Sequence, residues 1–152
     1  RVLLRPRFGD FLYSDYEFQI IKREVELFRK AGAEGVVIGC LNADGNLDME
    51  QMKELMETAG EMKVTLHRAF DVCADPIQAY QQTKELGIDT ILTSGQESSG
   101  LAGLPLLKKL CELHRDKWTT DYGRCRYDTG FHQKISERDE YYSLSFICKE
   151  DC

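Results

Sequence analysis

"KVTLHRAFDVCADPIQAYQQTKELG" (residues 63–87) holds a whole strand, loop and helix in one run. Lys63 to His67 is short, apolar and β-branched, the composition of a buried strand. Asp75 and Pro76 then supply an N-cap acceptor and a residue already fixed at helical φ, so a helix starts there. Leu86-Gly87 ends it, because glycine takes the left-handed stop without steric cost. Between strand and helix stand His67, Arg68, Asp71 and Cys73. An imidazole, a cation, a carboxylate and a thiol together read either as the polar mouth of a binding site or as an ordinary connecting loop.

The same unit repeats on both sides. "VLLR" (Val2 to Arg5) is a first strand, followed by a helix opened by Ser14. Glu17, three positions on, completes a capping box, and Phe18, Ile21, Val25 and Phe28 follow at helical spacing toward a stop at Gly32. "VVIG" (Val36 to Gly39) leads through "NADGN" to a helix capped by Asp48, with Met49, Met52, Met56 and Ala59 on one face. "TILT" (Thr90 to Thr93) ends in "SGQESSG" before a last helix from about Leu101 to Leu113. Four alternating units predict right-handed βαβ crossovers and a parallel sheet, an α/β fold. An open doubly wound sheet and a (β/α)₈ barrel both fit. A whole barrel takes about 250 residues, so four units make half of one.

The 152 residues, 42% hydrophobic and 30% charged, suit one soluble domain. No run of about 18 apolar residues marks a membrane span. "RVLLRPRFGD" lacks the apolar core of a secretory signal; it begins on a strand-like run without Met, as a fragment would. Net charge is −6, which argues against a nucleic-acid partner, with Arg1, Arg5 and Arg7 a local exception. The six cysteines form no CxxC pair, and reduced thiols in the cytoplasm are expected rather than a disulfide framework. Beyond Leu113 the rhythm stops. Residues 114–152 are polar and aromatic-rich, an irregular tail in which only Tyr141 to Cys148 reads as a strand.

"LLRPRFGDFLYSDYE", "GAEGVVIGCLNADGNLD", "HRAFDVCADP" and "ILTSGQESSGLAGLPLLKKL" together resemble the CutC copper-homeostasis family, in order, from Leu3 to about Leu110. The resemblance implies a TIM barrel and so selects between the two architectures. It also implies a cytosolic protein, in some cases also nuclear, linked to copper handling and Cu(I) binding. On this reading residues 1–113 are a partial CutC-like barrel domain and residues 114–152 a divergent tail. In the family a strand and helix with an acidic, Cys-containing mouth precede "RPR", and a glycine-rich phosphate-type loop follows Leu110; neither is found here. Phe8 stands where the family has glycine. The chain is expected to be a partial or alternatively spliced member. Half a barrel has two parallel edges and one uncovered sheet face, which predicts homo-oligomer formation or marginal stability.

Ligands of such barrels sit at the C-terminal strand ends, where each polar cluster falls: Arg5, Arg7 and Asp10; Cys40, Asn42 and Asp44; His67, Arg68 and Asp71; Thr93, Ser94 and Gly95. Arg5 and Arg7, two apart, point to one side of a strand and can grip a carboxylate or phosphate; they can equally pair with Asp10 or Asp71 to hold the rim. His67 shares a face with Thr65 and points inward. It is a candidate acid, base or metal ligand, or a structural rim histidine. Asp71 either orients it or binds Arg68, which points the other way and can brace a neighbouring loop. "TSGQESSG" offers amides and hydroxyls to an anion but is not a P-loop. No reaction is assigned, although His67 and Asp71 are the acid–base candidates.

For copper(I), which prefers sulfur donors, the candidates are Cys40 and Cys73; buried cysteines are also common apolar fillers. Met49, Met52 and Met56 read as core, and Cys148 and Cys152 form a CxxxC in the tail. Three readings stay open: a copper-homeostasis protein, a barrel enzyme or binding protein for a small anionic metabolite, and a truncated form without an intact site.

Overall fold

Four parallel strands stand side by side in chain order in the computed structural model, which describes residues 1–116, 126–128 and 145–147. They are β1 (Val2–Leu3), β2 (Gly35–Ile38), β3 (Lys63–Leu66) and β4 (Thr90–Leu92), each followed by a helix: α1 (Asp15–Lys30), α2 (Met49–Ala59), α3 (Pro76–Leu86) and α4 (Leu104–Asp116). A 3₁₀ turn, Arg68–Val72, lies between β3 and α3. The α/β class and the parallel βα units are as the sequence predicts. Among the described residues the sheet does not close into a barrel.

The helices start where short polar side chains meet free amides. Ser14 and Glu17 exchange both capping-box bonds, with Ser14 N–H donating to Glu17 Oε2 at 2.8 Å. Asp48 Oδ1 accepts from Gln51 N–H at 3.0 Å, and Asp75 Oδ1 accepts from the amides of Ile77 and Gln78. Gly87 closes α3 in the left-handed region, φ 72°. One boundary differs: α4 begins at Leu104 rather than about Leu101. Gly103 packs its backbone against Ser94, where an added Cβ would lie 1.9 Å from the Ser94 carbonyl oxygen. The chain is still turning there.

Register puts alternate residues into rows. Val36 pairs with Val64 and Ile38 with Leu66, and all four are fully buried. The other face carries Leu3, Val37, Thr65 and Thr90 in one row. Arg1 crosses this row, its guanidinium donating to Thr65 Oγ1 at 2.7 Å and Thr90 Oγ1 at 2.9 Å. Continuing each strand by two residues brings Arg5, Gly39 and His67 to the same face at the C-terminal end. The core is completed by Phe18, Ile21 and Val25 of α1, Met52 and Leu55 of α2, Ala79 and Tyr80 of α3, and Leu107 and Leu110 of α4. Met49 and Met56 pack against it half-buried, so the methionine face belongs to the core.

The outer edge of β4 is not left open. β6 (Ser145–Ile147) pairs with it antiparallel, Ile91 opposite Phe146, and β5 (Arg126–Asp128) pairs with β6. Of the strand expected over Tyr141 to Cys148, Ser145–Ile147 is present, and the other residues of that stretch lie outside the described ones. α4 runs three residues past the boundary expected at 113. The remainder of the tail, with the Cys148–Cys152 pair, lies outside the described residues.

Candidate functional site

Two polar clusters occupy the C-terminal end of the sheet. The first centres on Asp71. Its carboxylate accepts from Thr93 Oγ1 at 2.5 Å and from the amides of Ser94 at 3.1 Å and Gln96 at 3.0 Å. Arg68 Nε pairs with its second oxygen, and Arg68 Nη2 donates to Ser94 Oγ at 2.7 Å. Gly95 N–H donates to Thr93 Oγ1 at 2.9 Å. Arg68, Asp71, Thr93, Ser94 and Gly95 are thus brought together, but their donors meet one another. The carboxylate shapes the loop after β4, as a bound anion would.

Gln96 is part of this arrangement and carries no signal in the sequence. It takes φ 62°, a region L residues rarely adopt. Its side-chain amide donates to the Cys73 carbonyl at 2.7 Å. Only tertiary contacts hold it there.

The second cluster forms around His67. Residues 4–13 pass from β1 across the strand ends and lay Phe11 and Tyr13 inward, both nearly buried, while Phe8 and Leu12 face solvent. The Phe11 ring lies against His67, centroids 4.6 Å apart, and the Arg5 guanidinium lies 4.6 Å from the Phe11 centroid on the way to solvent. Gly39 lies beside His67: an added Cβ would sit 2.7 Å from Cε1 of the imidazole. Phe11 and Tyr13 went unread in the sequence, although their alternation with exposed Leu12 is the signal of a segment with one inward face.

Arg7 lies over the Tyr13 ring, 5.6 Å from its centroid, but its hydrogen bonds run away from His67. Arg7 Nε donates to Glu17 Oε1 at 2.5 Å, and its Nη2 donates to Asp10 Oδ1 at 2.7 Å. Asp10 and Glu17 hold the Arg7 guanidinium above its ordinary pKa, and Arg7 in turn lowers Asp10. These bonds tie the loop to the first turn of α1. Asn42 is likewise used locally, its Oδ1 accepting from the amides of Asp44 and Asn46 in a tight turn at Gly45.

Burial lowers the His67 pKa to about 4, and the charge of Arg5 adds to the effect. The imidazole is therefore neutral near pH 7. Its Nδ1 accepts from Ala69 N–H at 3.2 Å, which places the ring proton on Nε2. At Nε2 His67 carries a donor, not a lone pair. A neutral imidazole in this tautomer is neither a ready base nor a metal ligand through Nε2.

Cys40 and Cys73 are buried free thiols on the loops after β2 and β3. Burial pushes Cys40 up to about 12, helped by Asp48. It pushes Cys73 up to about 11, helped by Asp75 and Asp71. Cys73 Sγ donates to the Phe70 carbonyl at 3.1 Å. The two loops touch through Ala74 N–H and the Gly45 carbonyl, 2.8 Å apart. No group of three or more His, Cys, Asp or Glu is arranged to hold a metal ion among the described residues. No helix among them is long and apolar enough to cross a membrane.

Comparison with known proteins adds a family to this geometry. The model of the CutC family matches residues 1–121. A CutC family protein of Edwardsiella ictaluri is 52% identical over 113 residues, 74% of this chain and 45% of that protein. One of Bacteroides fragilis is 50% identical over 111 residues, 73% of this chain and 44% of its own length. The chain thus spans less than half the length of these curated relatives. Among solved structures, a CutC protein of Streptococcus agalactiae, for which a copper-homeostasis role has been put forward, superposes with a TM-score of 0.69 at 26% identity, over 72% of this chain and 54% of that one.

Proposed function

We propose, from the premise that the chain belongs to the CutC family, that it serves copper homeostasis and meets its cargo as Cu(I) at Cys40 and Cys73. One observation carries the choice of residues. These two buried thiols lie on the segments that follow consecutive parallel strands, Cys40 two residues after β2 and Cys73 just past the 3₁₀ turn after β3, and those segments are bonded to each other. Thiolates select Cu(I), whereas the arginines, serines and threonines around them do not bind it. His67 contributes no ligand in its present tautomer, since Nδ1 is engaged and Nε2 bears the proton.

The raised thiol pKa values set the terms of uptake. Each cysteine must lose a proton to bind, so metal uptake releases protons and is opposed by burial. A reducing compartment, the cytoplasm or nucleus, keeps such thiols available. Cu(I) titration against a competing chelator under reductant tests the assignment, on the unmodified chain and on Cys40→Ser and Cys73→Ser. Each substitution should weaken binding at least tenfold. Unchanged affinity in both variants removes these ligands from consideration.

A further inference from the structure

The mouth between β1 and β3 contains two buried donors that find no acceptor among the described residues. His67 Nε2 and Tyr13 Oη are both enclosed and have no hydrogen-bond partner among the described residues; each residue is 4% exposed. Leaving a buried donor unsatisfied costs about 1–3 kcal/mol. Two such donors within reach of the charge of Arg5 point to a ligand that supplies oxygen.

Arg5 connects them. Its guanidinium covers the Phe11 ring, which in turn covers His67. The charge of Arg5 acts on both the imidazole and the Tyr13 hydroxyl. Among the described residues Arg5 pairs with no carboxylate; it donates to the Gly9 carbonyl at 2.6 Å. Arg7, two residues on, is by contrast held by Asp10 and Glu17. Arg7 also lies over the Tyr13 ring, 5.6 Å from its centroid, but its charge is met by two carboxylates, whereas that of Arg5 is met by none among the described residues.

We propose that Arg5, His67 and Tyr13 form a binding site for a small oxyanion, a carboxylate or a phosphate. A ligand oxygen accepts from His67 Nε2–H and from the Tyr13 hydroxyl, and the Arg5 guanidinium offsets the charge. The imidazole is suited to this because Nδ1 is already occupied by Ala69 N–H, which fixes Nε2 as a donor. Gly39 is required at the back of the site, where any side chain would strike the ring. Access needs the Phe11 side chain to turn aside. The backbone behind it stays tied, since the Phe11 carbonyl accepts from Leu41 N–H at 2.9 Å.

The site does not depend on the copper reading and is tested with metal chelated throughout. The full chain, labelled with ¹⁵N at histidine, is titrated with inorganic phosphate and, separately, with succinate, while the imidazole nitrogen signals are followed by NMR. His67 should show the Nε2–H tautomer before addition, and its Nε2 resonance should shift saturably with at least one of the two anions. The anion that acts identifies the headgroup. Arg5→Gln, at an exposed side chain, should weaken that binding at least tenfold, and Tyr13→Phe should weaken it several-fold. An Nδ1–H tautomer, no saturable shift with either anion, or unchanged affinity in Arg5→Gln would each overturn the proposal.

Discussion

Acidification should destabilise this fold through a single buried histidine, and the size of the effect follows from its surroundings. His67 is 4% exposed and titrates at about 4 in the folded chain, against 6.5 when solvated. The folded pKa is depressed, so the unfolded chain takes up the proton first. The contribution is complete above pH 6.5 and is lost as the pH falls toward 4. A difference of 2.5 pKa units at 1.36 kcal/mol each gives about 3 kcal/mol in the limit, and about 2.5 kcal/mol at pH 4.5. Carboxylates titrate over the same range, so the comparison must be with a variant. His67→Gln keeps an acceptor for Ala69 N–H and a donor in place of Nε2–H, but carries no proton equilibrium. Urea unfolding of both proteins at pH 7.5, 5.5 and 4.5 isolates the histidine. The unmodified chain should lose about 2.5 kcal/mol more than the variant between the first and last conditions. A stability difference independent of pH would refute the reasoning. If the variant folds poorly, direct NMR titration of the imidazole tests the same point: a midpoint near 6.5 means that the ring is not enclosed.

Other consequences are open to simple measurement. Gly39→Ala puts a methyl group 2.7 Å from His67 Cε1, and such overpacking should cost about 1–3 kcal/mol, read as a lower urea midpoint; an unchanged midpoint would show that the ring does not lie there. Asp71→Ala removes the acceptor shared by Thr93, Ser94 and Gln96 and leaves their donors unsatisfied, a loss of about 2 kcal/mol after allowing for the exposure of Arg68. Amide exchange at Ser94 and Gln96 should accelerate in that variant, and protection as before would mean that the loop is held by something else. If both thiols bind Cu(I), the affinity should rise about a hundredfold per pH unit near neutrality, one factor of ten for each proton released. A slope of one factor of ten would leave a single cysteine in the site.

The helices were legible because their causes are local. Ser14 with Glu17, Asp48, and Asp75 with Pro76 each meet amides two or three residues away, and no distant residue has a say in that. The parallel sheet was legible for a related reason, since strands that alternate with helices have few ways to pair. The start of α4 was not, because it is decided by Gly103 pressing on Ser94, nine residues back and across a turn. Asp71 was open to two partners in the sequence. The structure assigns it to Arg68 and to the loop after β4 rather than to His67.

Composition, period and caps by themselves determined the class of fold, the order of its units and the end of the sheet where polar residues gather. Tertiary structure alone decided which of those residues are spent on one another and which are left idle. A side chain at a strand end has several partners within reach, and the choice depends on register and on what covers it. His67 becomes a neutral donor only because Phe11, Gly39 and Ala69, from three separate stretches of chain, enclose it and take one of its nitrogens. Spacing along the chain carries no record of that enclosure.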